Sequence, residues 1–240
     1  MKRSDASLLR TPKSGFVLLT VLALIDLELA ASAQGLPVQT AIDLKRKITL
    51  TARGTRLQRV LTLAVDMKIP VGIVTKDLNL CSPREPRVYT GVELGKILDS
   101  VLSDSGYAWH LKDSVLHVRP SSGATPIASR VLLANLSSFG GMATTIQGLG
   151  MLLSNKITVI LHPGQGYIGH ITASLDAENI PPFVLHDVTV QDAADFIVSR
   201  ASKGAWILYP TGEADVNLRT FGYKDDGNVL RNTSCIGEPQ

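Results

Sequence analysis

The chain has 240 residues, of which 45% are hydrophobic, 19% are charged and only 5% are aromatic. This composition excludes a collagen, a disordered chain and a disulfide-dense scaffold. The 24 Lys and Arg residues against 21 Asp and Glu residues leave a net charge of +3, too small to indicate a polyanionic partner. Nucleic acid is therefore not an expected partner, and the length allows one or two domains.

The N-terminus has the pattern of a secretory leader. Basic residues within 2–13 precede the apolar run 16–25, and an A-x-A pattern ends at Ala33. These are the basic region, the apolar region and the cleavage site of a signal peptide. The alternative is a membrane anchor, but a span needs about 20 apolar residues, and Asp26 and Glu28 follow this run at once. We predict cleavage after Ala33, a mature form without a membrane span, and a periplasmic or secreted location.

After a lead-in at 34–44, the first half alternates strand and helix patterns. Alternating apolar and polar residues, or short apolar runs, predict strands at 47–52, 71–74 and 87–90 and a hairpin over 107–118. Apolar residues spaced by three and four predict a helix that opens at Gly54 and a second that ends at Gly106. Residues 45–120 are thus predicted to form a βαββαβ-type module with a closing strand.

The second half repeats this plan after a predicted linker at 121–129. Within 130–224 we predict strands at 131–133, 158–161, 182–186 and around Trp206, with helices over 142–153 and 190–198. An insertion is predicted at 162–182 and a tail at 225–240. Val92 and Val190 are 98 residues apart, and Trp109 and Trp206 are 97 apart. The predicted fold class is α+β, with two tandem small modules that each pack two helices on a small mixed sheet.

The helix and turn positions of the first half match a family pattern. Leu57 and Leu61 fill an x-L-x-x-x-L helix, and Gly106, Tyr107 and Trp109 fill the turn into a late strand. Over these segments the chain resembles the secretin and TonB short N-terminal domain. The resemblance implies a periplasmic module for protein contacts, without catalytic residues or cofactors. The chain is too short for an outer-membrane pore or receptor barrel, so a freestanding module with a partner from a secretion or TonB system is expected.

The predicted hairpin brings two histidines together. If Asp113 and Ser114 form a two-residue turn, His110 lies opposite His117 on the face away from the core. Such a pair is a candidate metal site if a third ligand joins it, or a sensor of mild acid. Because the sequence places no third ligand, a pair of solvated histidines on the sheet surface is the favoured interpretation.

Other candidate sites have less specific patterns. A basic edge at Arg53, Arg56, Arg59 and Arg87 is either a solvated face or a contact for an acidic partner. Both Arg56 and Arg59 are expected to point outward. Cys81 and Cys235 could form a disulfide or remain unpaired, and neither has CxxC spacing.

The insertion holds the remaining candidates. The GxGxxG run at 164–169 lacks the helix start that a dinucleotide site needs, so a glycine-rich loop is favoured. The polar residues of 162–187 form either a surface loop or a small-molecule or metal site. No catalytic constellation is found, so the chain is predicted to be a non-enzymatic interaction module, with a small-molecule or metal binder as the alternative.

Overall fold

The computed structural model describes residues 42–52, 54–76, 86–142, 144–164, 179–201 and 204–222. The helices are α1 (Arg56–Met67), α2 (Leu94–Leu102), α3 (Pro126–Leu132), α4 (Ile146–Leu161) and α5 (Val190–Arg200). The strands are β1 (Lys47–Ala52), β2 (Val71–Val74), β3 (Arg87–Glu93), β4 (Tyr107–Lys112), β5 (Val115–Pro120), β6 (Asn135–Gly141), β7 (Thr144–Thr145), β8 (Asn179–Ile180), β9 (Phe183–Thr189), β10 (Gly204–Pro210) and β11 (Val216–Gly222). The predicted α+β class is confirmed.

A five-stranded sheet in the order β11-β10-β2-β5-β4 takes strands from both halves of the chain. β2 is parallel to β5 and to β10, whereas the hairpins β4–β5 and β10–β11 are antiparallel. In the described part of the chain, three two-stranded sheets accompany it, formed by β1 with β3, β6 with β9 and β7 with β8. The mixed sheet predicted separately for each half is therefore one central sheet that the halves share.

Each face of the central sheet carries its own hydrophobic core. Along β10, Ala205 and Ile207 belong to one core, and Trp206 and Leu208 belong to the other, as alternation along a strand requires. The first core contains side chains of α1, α2, β1 and β3, and the second contains side chains of α3, α4, α5, β6 and β9. The sheet thus lies between the helices of the two halves, and the described residues belong to one compact unit, 39–240.

The first half forms the elements that its periodicity predicts. Thr55 caps α1, because its hydroxyl accepts from the Gln58 N–H and the Gln58 side chain accepts from the Thr55 N–H, a capping box. α1 ends at Met67 and is capped by Lys68 in the left-handed conformation, two residues before Pro70. Gly106, with a φ of 72°, turns the chain from α2 into β4.

The strand predicted at 158–161 is wrong, because these residues form the last turn of α4. Ile146, Leu149, Leu153 and Ile157 are all buried and continue one helical stripe to the end of the helix. Burial of that stripe outweighs the weak preference of a Thr-Val-Ile run for a strand.

The strand predicted at 131–133 is also wrong. Its first residues belong to α3, which also includes residues 126–129 of the predicted linker. The Thr125 hydroxyl accepts a hydrogen bond from the N–H three residues further on, and Pro126 occupies the first helical turn. Both are signals of a helix start, and the linker interpretation overlooked them.

Corresponding elements of the two halves begin 96 residues apart rather than 98. β3 and α2 begin at Arg87 and Leu94, and β9 and α5 begin at Phe183 and Val190. At this spacing every buried position of α2 corresponds in sequence to a buried position of α5. Leu94, Ile97, Leu98, Val101 and Leu102 correspond to Val190, Ala193, Ala194, Ile197 and Val198. The apolar stripe is thus repeated, while descent of the halves by duplication stays a prediction.

The same spacing relates two aspartates that bind tryptophans. Asp99 Oδ1 accepts from Trp109 Nε1 at 2.9 Å, and Asp195 Oδ1 accepts from Trp206 Nε1 at 2.7 Å. The first bond is exposed and the second is buried. Gly72 makes room for the buried ring, since a Cβ there would lie 2.3 Å from Trp206. Each half therefore ties its second long helix to the following strand by the same bond.

Candidate functional site

β4 ends the central sheet, and β5 is its only strand partner among the described residues. The turn at Asp113–Ser114 has φ values of 49° and 62°, the positive pair of a type I′ turn. The predicted register is confirmed, with Leu111 opposite Leu116 and His110 opposite His117.

This register decides which backbone groups of β4 point away from the sheet. In an antiparallel pair, alternate residues bond to the partner strand, and the residues between them direct their N–H and C=O outward. Lys112 flanks the two-residue turn and bonds inward, so Trp109 and Leu111 point outward. The N–H of Tyr107, next in the outward series, donates to Ser105 Oγ at 3.0 Å. Among the described residues, β4 therefore offers open donors and acceptors to a further strand.

The opposite edge of the central sheet is more fully occupied. α4 packs along β11, and Ser154 Oγ donates to the Leu218 carbonyl at 2.7 Å. Thr220 Oγ1 donates to the Ile146 carbonyl at 2.8 Å. Because side chains and backbone of α4 already bind β11, β4 is the more accessible edge within the described chain.

The two faces of β4 differ in chemistry. Tyr107, Trp109 and Leu111 are half-buried against the first core. The hydroxyl of Tyr107 is held in place, since its Oη lies 3.0 Å from Thr75 Oγ1. The side chains of the other face are exposed: Ala108, His110 and Lys112. A strand added here would extend an apolar face and a polar face together.

His117 corrects the expectation that both histidines are solvated. Its exposed fraction is 0%, whereas His110 across the ladder is exposed. The ring of His117 meets Trp206 edge to face, with centroids 5.9 Å apart. The second half covers this face of β5, which a freestanding first module would leave in water.

Asp195, on α5, faces both of these rings. Its Oδ1 accepts from Trp206 Nε1, and its Oδ2 lies 3.3 Å from His117 Nε2. That distance suits an ion pair, but the geometry is not that of a hydrogen bond, and neither ring nitrogen of His117 has a hydrogen-bond partner among the described residues. Buried polar atoms seldom lack partners. Asp195 was not predicted from the sequence. The 98-residue spacing aligns it with the apolar Ile97, so no shared role is visible.

Two further contacts fasten the β4–β5 hairpin to α5. Lys112 Nζ lies 2.7 Å from Asp192 Oδ1, and the Arg119 guanidinium donates to the Gln191 side-chain oxygen. The hydrogen bond with Asp192 holds the pKa of Lys112 above its ordinary value. Partial burial acts to raise the pKa of Asp192, but hydrogen bonds from Lys112 and Thr189 outweigh it and lower the pKa. Both side chains are more than 40% exposed, so the ion pair contributes little to the free energy of unfolding.

The histidine pair does not have the arrangement of a metal site. The rings of His110 and His117 stack with centroids 5.0 Å apart and planes 15° apart, so their in-plane nitrogen lone pairs do not converge. Within the described ranges, no group of three or more His, Cys, Asp or Glu side chains is placed to hold a metal ion.

Three of the four arginines of the predicted basic edge lie among the described residues, and their surroundings differ. Arg59, expected to point outward, is 7% exposed, because α1 also buries Arg59 and Leu63, which lie outside the predicted apolar stripe. Arg56 donates to the Ser103 carbonyl. Arg87 is exposed and donates to Ser100 Oγ at 3.2 Å. The structure thus brings Arg56 and Arg87 to the end of α2.

A cleft of about 210 Å³ lies between the end of α4 and the β10–β11 hairpin. His162, directly after α4, binds the Asp215 carboxylate. Ile157 and Val216 supply apolar lining beside this polar pair. An imidazole and a carboxylate next to an apolar wall suit a small polar molecule.

Some predictions concern residues outside the described ranges. They are the signal peptide at 1–33, Arg53, the cysteines Cys81 and Cys235, most of the GxGxxG run and of the insertion, and the tail at 225–240.

Within the described residues, no helix is both long enough and apolar enough to cross a membrane. Comparison of the chain with protein-family models, curated proteins and solved structures gives no significant match in any of the three. The function is therefore inferred from the residues and their geometry.

Proposed function

We propose that the chain is an exported, non-enzymatic protein-interaction module of the bacterial cell envelope, which binds an extended segment of another envelope protein along β4. The observation that carries this proposal is the open edge at Trp109 and Leu111. In strand addition, backbone hydrogen bonds at such an edge supply affinity, and alternate side chains supply specificity. A component of a secretion or TonB system is the proposed partner.

The element order of the first half supports the envelope context. Residues 47–120 follow the order β-α-β-β-α-β-β, which agrees with the order in the secretin and TonB short N-terminal domain that this half resembles. The leader pattern that ends at Ala33 supports export. The resemblance thus supports a role in protein contacts, and the leader pattern supports export to the periplasm.

The Leu111→Pro variant is expected to bind the partner at least about ten-fold more weakly, since it removes an outward N–H and crowds an incoming strand. Proline is tolerated at an edge position whose N–H faces solvent, so the β4–β5 ladder is retained. The matched control is Leu111→Ala, which removes the same side chain and keeps the N–H. Capture of envelope proteins on immobilised native, L111P and L111A chains measures the difference.

Equal capture by the proline and alanine variants would contradict strand addition. If L111P does not fold, amide exchange of the native chain replaces it. The Trp109 and Leu111 amides then have to become protected when the partner binds, and unchanged exchange would count against the proposal.

The alternative is a small-molecule binder that uses the cleft at His162 and Asp215. The half-exposed imidazole–carboxylate pair beside an apolar wall favours it. A small polar metabolite that fits the cleft is expected to raise the melting temperature of the native chain, because it binds only the folded state. It should have no effect on Leu161→Trp, which fills the cleft. A metabolite panel without any shift removes this alternative.

A further inference from the structure

The open strand β4 carries an ionisable ring that stacks on a buried one. His110 projects from the exposed face of β4, and its ring lies 5.0 Å from that of His117. His117 cannot move aside, because it is fully buried against Trp206 and Asp195. The stack is therefore a cross-strand contact between an exposed ring and a buried ring.

The charged groups around His110 come from its own strand, from β5 and from α5. They are Lys112, His117, Arg119 and Asp195. Asp195 is the single acidic group among them, and it already accepts from Trp206. The carboxylate of Asp192, the other acid of α5 near the hairpin, is held by Lys112. A positive charge on His110 therefore meets mainly positive or occupied groups.

We propose that protonation of His110 in mild acid breaks its stack on His117, loosens β4 from β5 and weakens strand addition at the open edge. A charged imidazole is stabilised when its side chain rotates away from His117 into the solvent, because water solvates the charge. The rotation breaks the cross-strand contact. A partner strand beside β4 would displace water from His110, so binding of the partner and protonation of His110 each weaken the other. The effect on the partner rests on the proposed function, whereas the loosening of β4 does not.

The direction of the pH effect follows from linkage. The partial loss of water around the His110 ring where it faces the sheet is the main cause that holds its pKa below the ordinary value of 6.5. The proximity of His117, Arg119 and Lys112 also lowers this pKa, whereas Asp195 raises it. A ring turned into water is therefore the better proton acceptor. The stacked arrangement has its full stability above about pH 6.5 and loses stability as the pH falls toward the lowered pKa.

Amide exchange in the free, full-length chain tests the loosening of β4. The inward amides of Ala108 and His110 are expected to lose protection by at least about two-fold between about pH 7.5 and 5.5, after correction for intrinsic exchange rates. The His110→Phe variant keeps a stacked ring that cannot be protonated, and its protection should not change. His186→Phe, which removes another exposed strand histidine, is the matched control and should behave as the native chain does.

The exchange experiment tests the role of His110, and the capture experiment tests the proposed function. Constant protection in the native chain, or an equal loss in H110F, overturns the role of His110, and an equal loss assigns the effect to another group. Envelope proteins captured at about pH 7.5 should elute at about pH 5.5 from the native chain and stay on H110F. If nothing is captured at either pH, the proposed function fails, while the exchange experiment still decides the inference about His110.

Discussion

Neither half of the chain is expected to unfold cooperatively by itself when the two are separated at Gly123. The first half relies on β10, which pairs with β2 and contributes Ala205, Ile207 and Tyr209 to the first core. The second half relies in turn on Val74 and Val115 of the first, which belong to the second core.

Separation would expose one whole face of the central sheet in each fragment. A fully buried aliphatic or aromatic side chain contributes about 1.5–3 kcal/mol, and a whole domain is stable by only about 5–15 kcal/mol. The loss of several such side chains, together with the backbone hydrogen bonds between β2 and β10, is therefore comparable with the total stability of the chain.

Fragments 34–122 and 123–240, made separately and then mixed, provide the measurement. Each fragment alone should show no sigmoidal thermal transition by circular dichroism, and the mixture should recover one. A cooperative transition in fragment 34–122 alone would contradict the shared sheet, and it would show that the first half is the freestanding module that the family resemblance implies.

The elements of the first half could be predicted because their signals are local. The alternation at 47–52, the apolar stripe of α1 and the two-residue turn at Asp113–Ser114 all act within a few residues. The turn alone is sufficient to predict the pairing of His110 with His117, which is confirmed.

The shared sheet could not be predicted in this way. Its central contact pairs Val71 with Ala205, and no local pattern couples residues so distant along the chain. The burial of His117 depends on this contact, because the second half covers its face of β5. The predicted solvated histidine was wrong for that reason, whereas the exposed His110 lies at the sheet edge.

The Asp–Trp bonds show which part of the candidate site a better sequence analysis could reach. At a spacing of 96 residues, Asp195 corresponds to Asp99 and no longer to Ile97. An acidic residue repeated beside the apolar stripe of two helices, each followed by a tryptophan about ten residues later, is a signal of a helix-to-strand hydrogen bond. Only the burial of the bond between Asp195 and Trp206 cannot be predicted without the tertiary structure.

The Asp195→Ala variant is expected to lower the free energy of unfolding by about 2–3 kcal/mol, because it leaves the indole N–H of Trp206 buried without an acceptor. Trp206 is fully buried, and Asp195 Oδ1 is the acceptor found for it at 2.7 Å. The matched control is Asp99→Ala, which removes the corresponding bond of Trp109. That bond is exposed to water, which replaces the lost acceptor, so the control should cost less than about 1 kcal/mol.

A double-mutant cycle with Trp206→Phe separates the hydrogen bond from other effects of the substitution. Phenylalanine has no N–H to satisfy, so Asp195→Ala should cost about 1 kcal/mol less in the W206F background than in the native chain. Urea denaturation of the four chains gives both differences. Equal costs in the two backgrounds would contradict a role for the hydrogen bond to Trp206. So would an Asp195→Asn variant as destabilising as Asp195→Ala, because asparagine keeps an oxygen for Trp206 and loses the charge.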